Sequence, residues 1–409
     1  MNNTPSSERV HIGIFGKRNA GKSSLINAIT GQNHAIVSDI KGTTTDPVLK
    51  SMELLPLGPV VLIDTPGLDD EGELGELRIK KAYQMLNKTD VAILVIDAGV
   101  GLTKQDDMIL ARIKAKEIPY VVVMNKMDLN SGAMETLATG KCFQENESIF
   151  RQDNIVWVSA KTGHNITLLK EKIAECAKKD TIDKKIVGDL LAPSDFVILV
   201  VPIDESAPKG RLILPQQQTI RDILDAEATA IVVKDTELEE TMNKLACKPK
   251  MVITDSQVFG KVSKIVPKDV PLTSFSILMA RYKGDLQAVV QGAYALDEIQ
   301  DGDKVLISEG CTHHRQCNDI GTVKLPHWVK ECTGKELCFE FTSGTEFPDD
   351  LTGYQLVIHC GGCMLNEREM KYRLKCAEDH GIPMTNYGIA IAHMKGILAR
   401  SIELFKEEL

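Results

Sequence analysis

Two groups of residues in this sequence have the types and spacing that chemistry requires. The first is the segment 16–23, GKRNAGKS, which matches the pattern G-x-x-x-x-G-K-S. In that pattern the glycines let backbone N–H groups face phosphate oxygens, the lysine reaches the β- and γ-phosphates, and the hydroxyl ligates Mg²⁺. The second is a cysteine-rich region, because seven of the ten cysteines fall between positions 311 and 376.

Three further segments complete a predicted guanine-nucleotide site. DTPG at 64–67 offers a carboxylate to the Mg²⁺ shell and an N–H to the γ-phosphate. NKMD at 125–128 ends in a carboxylate that can accept two hydrogen bonds from guanine, a pair that adenine cannot supply. SAK at 159–161 can close the base pocket. The predicted GTP-binding residues are Gly16, Asn19, Ala20, Gly21, Lys22, Ser23, Ser24, Asp64, Gly67, Asn125, Lys126, Asp128, Ser159, Ala160 and Lys161.

The catalytic candidates are Lys22, Thr44 and Gly67, and the Mg²⁺ ligands are predicted to be Ser23, Thr44 and Asp64. Thr44 belongs to GTTTDP at 42–47, where a first switch is expected, and Thr43 and Thr45 are its alternatives. Leu68 stands where a Ras-like enzyme has a glutamine that orients water. Hydrolysis is therefore expected to be slow.

The cysteine motifs follow two predicted strands. CTH at 311–313 comes after the strand 304–308, and HCGGC at 359–363 overlaps the end of another at 355–359. Cys311, Cys360 and Cys363, with a fourth ligand from His313 or His359, would suit a [4Fe–4S] cluster with an exchangeable corner. A closed Cys₃His set would equally suit structural zinc. A thioredoxin-like redox pair would leave Cys311 unexplained.

The elements that position these residues alternate between strand and helix. Buried strands are predicted at 10–15, 60–63, 91–97, 120–125 and 155–159, which indicates a doubly wound α/β domain. A second alternation runs from 196 to 254. The third part is predicted to contain a helix at 275–295, the two cysteine-bearing strand ends, and helices at 367–378 and 393–407. The fold class is therefore α/β throughout, with a P-loop GTPase domain first.

Composition narrows the function classes. The chain is 43% apolar and 26% charged, as in soluble globular proteins. Its 48 basic and 57 acidic residues give a net charge of −9, which argues against nucleic acid as a partner. No stretch reaches the roughly 18–20 apolar residues of a membrane span, and the N-terminal MNNTPSSER lacks an apolar signal core. We expect a cytoplasmic protein with no membrane partner.

The GTPase segments resemble the translation-factor-type GTPases. The G-T-T-x-D switch is most similar to that of tRNA-modification and ribosome-assembly GTPases. In those relatives the asparagine that matches Asn19 helps to bind a potassium ion beside the phosphates. The resemblance therefore implies K⁺ at Asn19.

The whole chain resembles the HydF family of [FeFe]-hydrogenase maturation GTPases. The likeness rests on C-x-H…H-C-x-x-C, on PIDESAPKGRLILP at 202–215 and on RDILD at 221–225. It implies a P-loop GTPase domain at 1–177, a dimerisation domain at 178–268 and a cluster-binding domain at 269–409. It also implies a homodimer and a [4Fe–4S] cluster on Cys311, Cys360 and Cys363. Radical-SAM maturases would assemble a transient diiron subcluster precursor there, for transfer to the apo-[FeFe]-hydrogenase.

Two other functions compete with this one. The first is a ribosome- or tRNA-directed GTPase whose third domain holds structural zinc, although it would need a basic face that the net charge disfavours. The second is a redox regulator that cycles Cys360 and Cys363. Metal content separates all three.

Overall fold

The computed structural model describes residues 4–31, 47–67, 73–129, 154–178, 184–203, 212–311, 319–344 and 346–409, with only the backbone for 73–78. The chain forms two compact units, Met1–Ile182 and Asp183–Leu409. No helix in the described ranges combines the length and apolar character needed to cross a membrane.

The first unit is built on a six-stranded sheet in the order β2-β3-β1-β4-β5-β6. All neighbours are parallel except the antiparallel pair β2–β3. Its strands are β1 Val10–Phe15, β2 Val48–Leu54, β3 Gly58–Asp64, β4 Val91–Asp97, β5 Tyr120–Asn125 and β6 Ile155–Trp157. Its helices are α1 Lys22–Thr30, α2 Glu73–Met85, α3 Lys104–Ala115 and α4 Ile166–Lys178.

Both faces of this sheet are buried. Along β4, Ile93 and Val95 pack in one core with residues of α1 and α4. Leu94 and Ile96 pack in a second core with residues of α2 and α3. The near-continuous apolar sequence of β4 follows from this double burial, which is typical of parallel sheets. The doubly wound α/β prediction is confirmed.

The second unit contains two four-stranded sheets, ordered β10-β9-β7-β8 and β12-β11-β13-β14. Every strand pair is parallel. The strands are β7 Phe196–Val200, β8 Thr229–Val233, β9 Met251–Thr254, β10 Leu272–Ser274, β11 Lys304–Glu309, β12 Cys338–Ser343, β13 Leu356–His359 and β14 Met384–Asn386. The helices are α5 Leu214–Asp225, α6 Leu238–Lys244, α7 Phe259–Ile265, α8 Phe275–Lys283, α9 Leu286–Tyr294, α10 Leu325–Thr333, α11 Glu367–Asp379, α12 Tyr387–Met394 and α13 Leu398–Ser401.

One apolar core joins the two sheets of the second unit. It contains Leu199 of β7, Leu306 of β11 and Val357 of β13, together with Ile277 and Leu278 of α8. Both sheets are therefore built against shared helices, and β11 and β13 lie side by side with Ser308 opposite His359. This register brings the carboxyl ends of β11 and β13, which precede Cys311 and Cys360, to one edge of the sheet.

The predicted helix 275–295 was wrong as a single element. It breaks at Gly284, and Asp285 then caps α9 by accepting a hydrogen bond from the N–H of Ala288. The predicted helix 393–407 was also wrong. Asn386 caps a helix that begins at Tyr387, and the chain turns at Gly396, whose φ is +67°. Cap residues therefore set these boundaries, and apolar periodicity alone does not reveal them.

Candidate functional site

The phosphate-binding loop connects β1 to α1. Gly16 has φ +143°, and a Cβ there would lie 2.3 Å from the carbonyl oxygen of Val95. The buried Lys22 curls back into the loop, where its Nζ donates to the carbonyls of Gly16 and Lys17 at 2.8 Å each. The ammonium is thus held at the centre of the loop, where phosphate oxygens would meet it.

Asn125 joins three of the predicted segments. Its Nδ2 donates to the carbonyl of Ala20 at 3.0 Å, and its Oδ1 accepts from the N–H of Ala160 at 3.1 Å. The side chain is 2% exposed. A Cβ on Gly21, at φ +93°, would lie 2.2 Å from the same Nδ2. The amide therefore fixes the phosphate loop against the base-binding segments, and Gly21 leaves the room that this requires.

A cavity of about 680 Å³ opens beside these segments. On its wall, Asp128 Oδ1 accepts from the hydroxyl of Ser159 at 2.7 Å, and that hydroxyl oxygen accepts from the N–H of Thr162 at 3.1 Å. Seven of the residues that line the cavity were predicted from the sequence, and four were not. The predicted ones are Gly21, Ser24, Asn125, Lys126, Asp128, Ala160 and Lys161, and the others are Asn27, Ala28, Gly31 and Leu129.

Asp97 is a further residue of the site that was not predicted from the sequence. Its Oδ2 lies 2.7 Å from Nζ of Lys126, so it orients the lysine of the NKMD segment. The sequence does contain a feature that could have indicated Asp97. It is the single carboxylate at the end of the apolar strand β4, as Asp64 is at the end of β3.

Asp64, Ser23 and Lys22 meet where β3 ends. Burial raises the pKa of Asp64, while Lys22, Lys50 and a hydrogen bond with the Ser23 hydroxyl oppose that rise. A carboxylate and a hydroxyl in a buried, polar position fit a Mg²⁺ shell. Thr44, its neighbours Thr43 and Thr45, and Leu68 lie outside the described residues.

Two other predicted residues flank the phosphate loop. A Cβ on Gly67 would lie 3.0 Å from both Cβ and N of Arg18, so Gly67 borders the loop closely. Asn19 is exposed and has φ +60°, a left-handed conformation that asparagine adopts more readily than most residues.

The cysteine loop follows β13, where each polar atom of Cys360 has a partner. Its N–H donates to the carbonyl of Ser308 at 2.9 Å. Its Sγ accepts from the N–H of Gly310 at 3.1 Å and of Gly362 at 3.4 Å. Gly362 has φ +62°, which turns its N–H toward the sulfur. Backbone N–H groups directed at sulfur are the surroundings that metal-bound thiolates use.

Three thiols are neighbours here. Burial raises the pKa of Cys360 to about 12; the two N–H bonds oppose this, and the nearby Cys363 and Cys311 add to it. Burial likewise raises the pKa of Cys363, against the charge of Lys283. The buried Lys283 also donates to the carbonyls of Cys363 and Leu365 at 3.3 and 3.1 Å.

The thiol donors fit an iron–sulfur cluster in kind and in hydrogen bonding. Their sulfur atoms do not form a complete metal-binding site. In the described part of the chain, no group of three or more His, Cys, Asp and Glu side chains is arranged to hold a metal ion. His313, one candidate for the fourth ligand, lies outside the described residues.

His359, the other candidate, is fully buried in the core. Its Nδ1 lies 2.7 Å from the carbonyl oxygen of Cys360, and its Nε2 lies 2.9 Å from Nη1 of Arg373. Burial and the charge of Arg373 lower its pKa to about 3, so the imidazole is neutral. Since both ring nitrogens are engaged, neither is available to a metal in this arrangement.

Comparison with known protein families divides the chain into three matched regions. Residues 11–126 match the model of a 50S ribosome-binding GTPase. Residues 186–284 match the hydrogen maturase F dimerization domain, and residues 287–404 match the hydrogen maturase F tetramerization domain. The predicted order, a GTPase domain followed by two further α/β domains, is confirmed.

Individual relatives match about 40% of the chain. GTPase Der of Wolinella succinogenes is 34% identical over 167 residues, 40% of this chain and 35% of that protein. The tRNA modification GTPase MnmE of Nitrosomonas eutropha is 36% identical over 164 residues, 40% of this chain and 34% of that protein. The chain thus spans about a third of the length of these relatives. Among solved structures, Era of Aquifex aeolicus bound to GDP·AlF₄⁻ is 22% identical with a TM-score of 0.37, covering 55% of this chain and 92% of that one.

Proposed function

We propose that this chain, which belongs to the hydrogen maturase F family, is a GTP-hydrolysing scaffold in [FeFe]-hydrogenase maturation. In this proposal it holds a [4Fe–4S] cluster on Cys311, Cys360 and Cys363. A diiron subcluster precursor is assembled there and then transferred to the apo-hydrogenase. The observation that supports it most is the neighbouring set of thiols, with two backbone N–H groups directed at Cys360 Sγ, in the same chain as a guanine-nucleotide site.

The phosphate end of GTP would lie in the loop 16–23. Lys22 would leave the carbonyls of Gly16 and Lys17 for the β- and γ-phosphates, a short movement because its Nζ is already inside the loop. Ser23 and Asp64, with Thr44 from the switch, would hold Mg²⁺, which offsets phosphate charge when bound. Gly67 would offer its N–H to the γ-phosphate.

The base would enter the 680 Å³ cavity. One oxygen of Asp128 accepts a hydrogen bond from the Ser159 hydroxyl, and this contact would orient the carboxylate toward guanine. Lys126, held by Asp97, would cover the face of the base, and Ala160 and Lys161 would border it. Selectivity for GTP over ATP would come from the two hydrogen bonds that Asp128 accepts.

Slow hydrolysis and potassium activation belong to this proposal. Leu68 has no polar group to orient the attacking water, so the attack of water on the γ-phosphate would limit the rate of hydrolysis. Asn19 would hold K⁺ beside the phosphates. Measuring phosphate release in KCl and in NaCl tests the second point, with Asn19→Ala expected to make the two rates equal.

The thiols would serve the cluster as three of its four ligands. A [4Fe–4S] cluster with one weakly held ligand would supply an exchangeable iron site for an incoming metal unit. Burial disfavours the free thiolates. Lys283 and the N–H groups of Gly310 and Gly362 would offset that cost when the cluster is bound.

The proposed assembly is a homodimer that acts in the cytoplasm without nucleic acid or membrane. The matched dimerization region contains the edge strand β8, where Val232 is 44% exposed. Radical-SAM maturases and the apo-hydrogenase would be the transient partners. The GTP state would change the affinity for these partners only if the two nucleotide states bind them differently.

Anaerobic reconstitution with iron and sulfide tests the proposal. We expect about four irons per chain, as a [4Fe–4S] cluster requires, and an S = 1/2 EPR signal on reduction. Cys311→Ala, Cys360→Ala and Cys363→Ala should each lose it, while Cys247→Ala, at an exposed free cysteine, is the matched control. One tightly bound zinc and no reconstitutable cluster would instead favour the alternative, a ribosome- or tRNA-directed GTPase with a structural zinc site.

A further inference from the structure

A buried polar chain runs from helix α11 to the backbone of Cys360. Arg373 is 1% exposed and His359 is fully buried. Arg373 Nη1 contacts His359 Nε2 at 2.9 Å, and His359 Nδ1 contacts the carbonyl of Cys360 at 2.7 Å. A buried guanidinium is costly unless its N–H groups are paired. The contacts of Arg373 fall on Nη1 and Nη2, whereas its buried Nε has no hydrogen-bond partner among the described residues.

The direction of each hydrogen bond follows from the chemistry of the groups. A guanidinium can only donate, so His359 Nε2 must accept from Arg373. A carbonyl can only accept, so His359 Nδ1 must carry the ring proton and donate it to Cys360. Arg373 therefore selects the single neutral tautomer of His359 that can hold the Cys360 carbonyl.

Arg373 is itself held firmly. Its Nη2 donates to Glu369 Oε1 at 2.8 Å and to the carbonyl of Gly344 at 2.6 Å. Its Nη1 also reaches the hydroxyl of Ser308 at 3.3 Å, and the carbonyl of Ser308 accepts from the N–H of Cys360. The network thus touches both sides of the Cys360 residue, at its N–H through Ser308 and at its carbonyl through His359.

We propose that Arg373 is a positioning residue for Cys360 and that it acts through His359. The backbone of Cys360 is fixed at both ends, so its Sγ stays opposite the N–H groups of Gly310 and Gly362. His359 then supports a ligand and does not serve as one. The part of this inference that concerns a cluster rests on the proposed function.

The first experiment uses the full chain without metal. Iodoacetamide alkylation of Cys360 is followed by peptide mass spectrometry. His359→Leu removes the donor to the Cys360 carbonyl, whereas His359→Asn keeps an amide N–H at the position of Nδ1. The double variant Arg373→Met/Glu369→Met removes the buried ion pair as a unit, which usually preserves folding. Glu369→Gln is the control that keeps Arg373 and its contact with His359.

We expect His359→Leu and the double variant to alkylate Cys360 about tenfold faster than the unmodified chain, the effect of losing one hydrogen bond to a buried group. His359→Asn and Glu369→Gln should stay within about twofold of it. Equal rates in His359→Leu and the unmodified chain would overturn the proposal. Circular dichroism checks that each variant is folded, and the contrast between His359→Asn and His359→Leu does not depend on the double variant.

The second experiment adds iron and sulfide to the same variants. His359→Asn should take up iron and give the EPR g-values of the unmodified chain. If it loses the signal while Cys360 remains protected in the metal-free protein, His359 is a ligand and the proposal is wrong. If the unmodified chain binds no cluster but the alkylation rates follow the expected order, the cluster function fails and the positioning role of Arg373 stands.

Discussion

Asn125→Ala is expected to weaken guanine-nucleotide binding strongly, although the side chain need not touch the nucleotide. The amide bridges the carbonyl of Ala20 and the N–H of Ala160 inside a 2%-exposed environment. Alanine leaves both backbone groups without this partner. The phosphate loop and the base-binding segments would then have to be brought together by the nucleotide itself.

The size of the effect follows from the two orphaned groups. A buried polar group that loses its partner costs about 1–3 kcal/mol. For the two groups together, partly hydrated in the nucleotide-free protein, the free-energy cost is about 2–4 kcal/mol. If that cost is met on binding, the Kd for GDP rises roughly 30- to 1,000-fold.

Isothermal titration with GDP and Mg²⁺ measures this change. Asn165→Ala is the matched control, because Asn165 Nδ2 donates to the carbonyl of Trp157 at 2.8 Å in the same unit but does not line the cavity. It should lower thermal stability and leave the Kd unchanged. If the Kd of Asn125→Ala rises less than about threefold, the change is smaller than the loss of one hydrogen bond would cause, and the bridging role is refuted. An equal rise of the Kd in Asn165→Ala would refute it as well.

Three other perturbations test separate features. Gly21→Ala should abolish GDP binding in the same titration, because φ is +93° and the new Cβ would meet Asn125 Nδ2 at 2.2 Å; wild-type affinity would contradict this. Asp222→Ala removes a carboxylate oxygen that accepts from three consecutive N–H groups at 186–188, at 2.7–3.0 Å, so hydrogen exchange there should accelerate at least about tenfold, and unchanged exchange would count against it. Arg281 holds the pKa of Asp189 below its ordinary value of 3.8. The ion pair therefore contributes its full stabilisation above about pH 3.8. This contribution is lost as the pH falls through the lowered pKa of Asp189. Asp189→Asn should make the acid transition in circular dichroism shallower, and an unchanged transition would exclude the pair as a contributor.

The nucleotide site was largely predictable because its residues act through local backbone geometry. Each segment follows a strand, and strand ends of a parallel sheet meet at one edge. The bridge made by Asn125 was not predictable, since it joins residues 105 and 35 positions away. The pairing of Asp97 with Lys126 has the same cause.

The cysteine region was predictable in residue type and less so in orientation. The sequence indicates that His359 is next to Cys360, but the direction of its ring depends on Arg373, which reaches it from another element. Strands β10 and β14 have three residues each and β12 is an exposed edge, so none has the buried apolar run that marks a parallel strand. Such short or edge strands are stabilised by pairing with a neighbouring strand, and a single sequence does not reveal which segment that neighbour is.

The all-parallel pairing of the second unit has a consequence for the order of events in the cell. No pair of its strands is joined by a hairpin among the residues described, so each strand pair closes a loop that contains a crossover connection. Gly310 and Cys360, which meet at the cysteine loop, are 50 residues apart. During synthesis, Cys311 therefore leaves the ribosome before β13, which precedes Cys360 and Cys363, has been made. If the thiols hold a cluster as proposed, its uptake would follow folding, and cells that express this chain rapidly would accumulate cluster-free protein first.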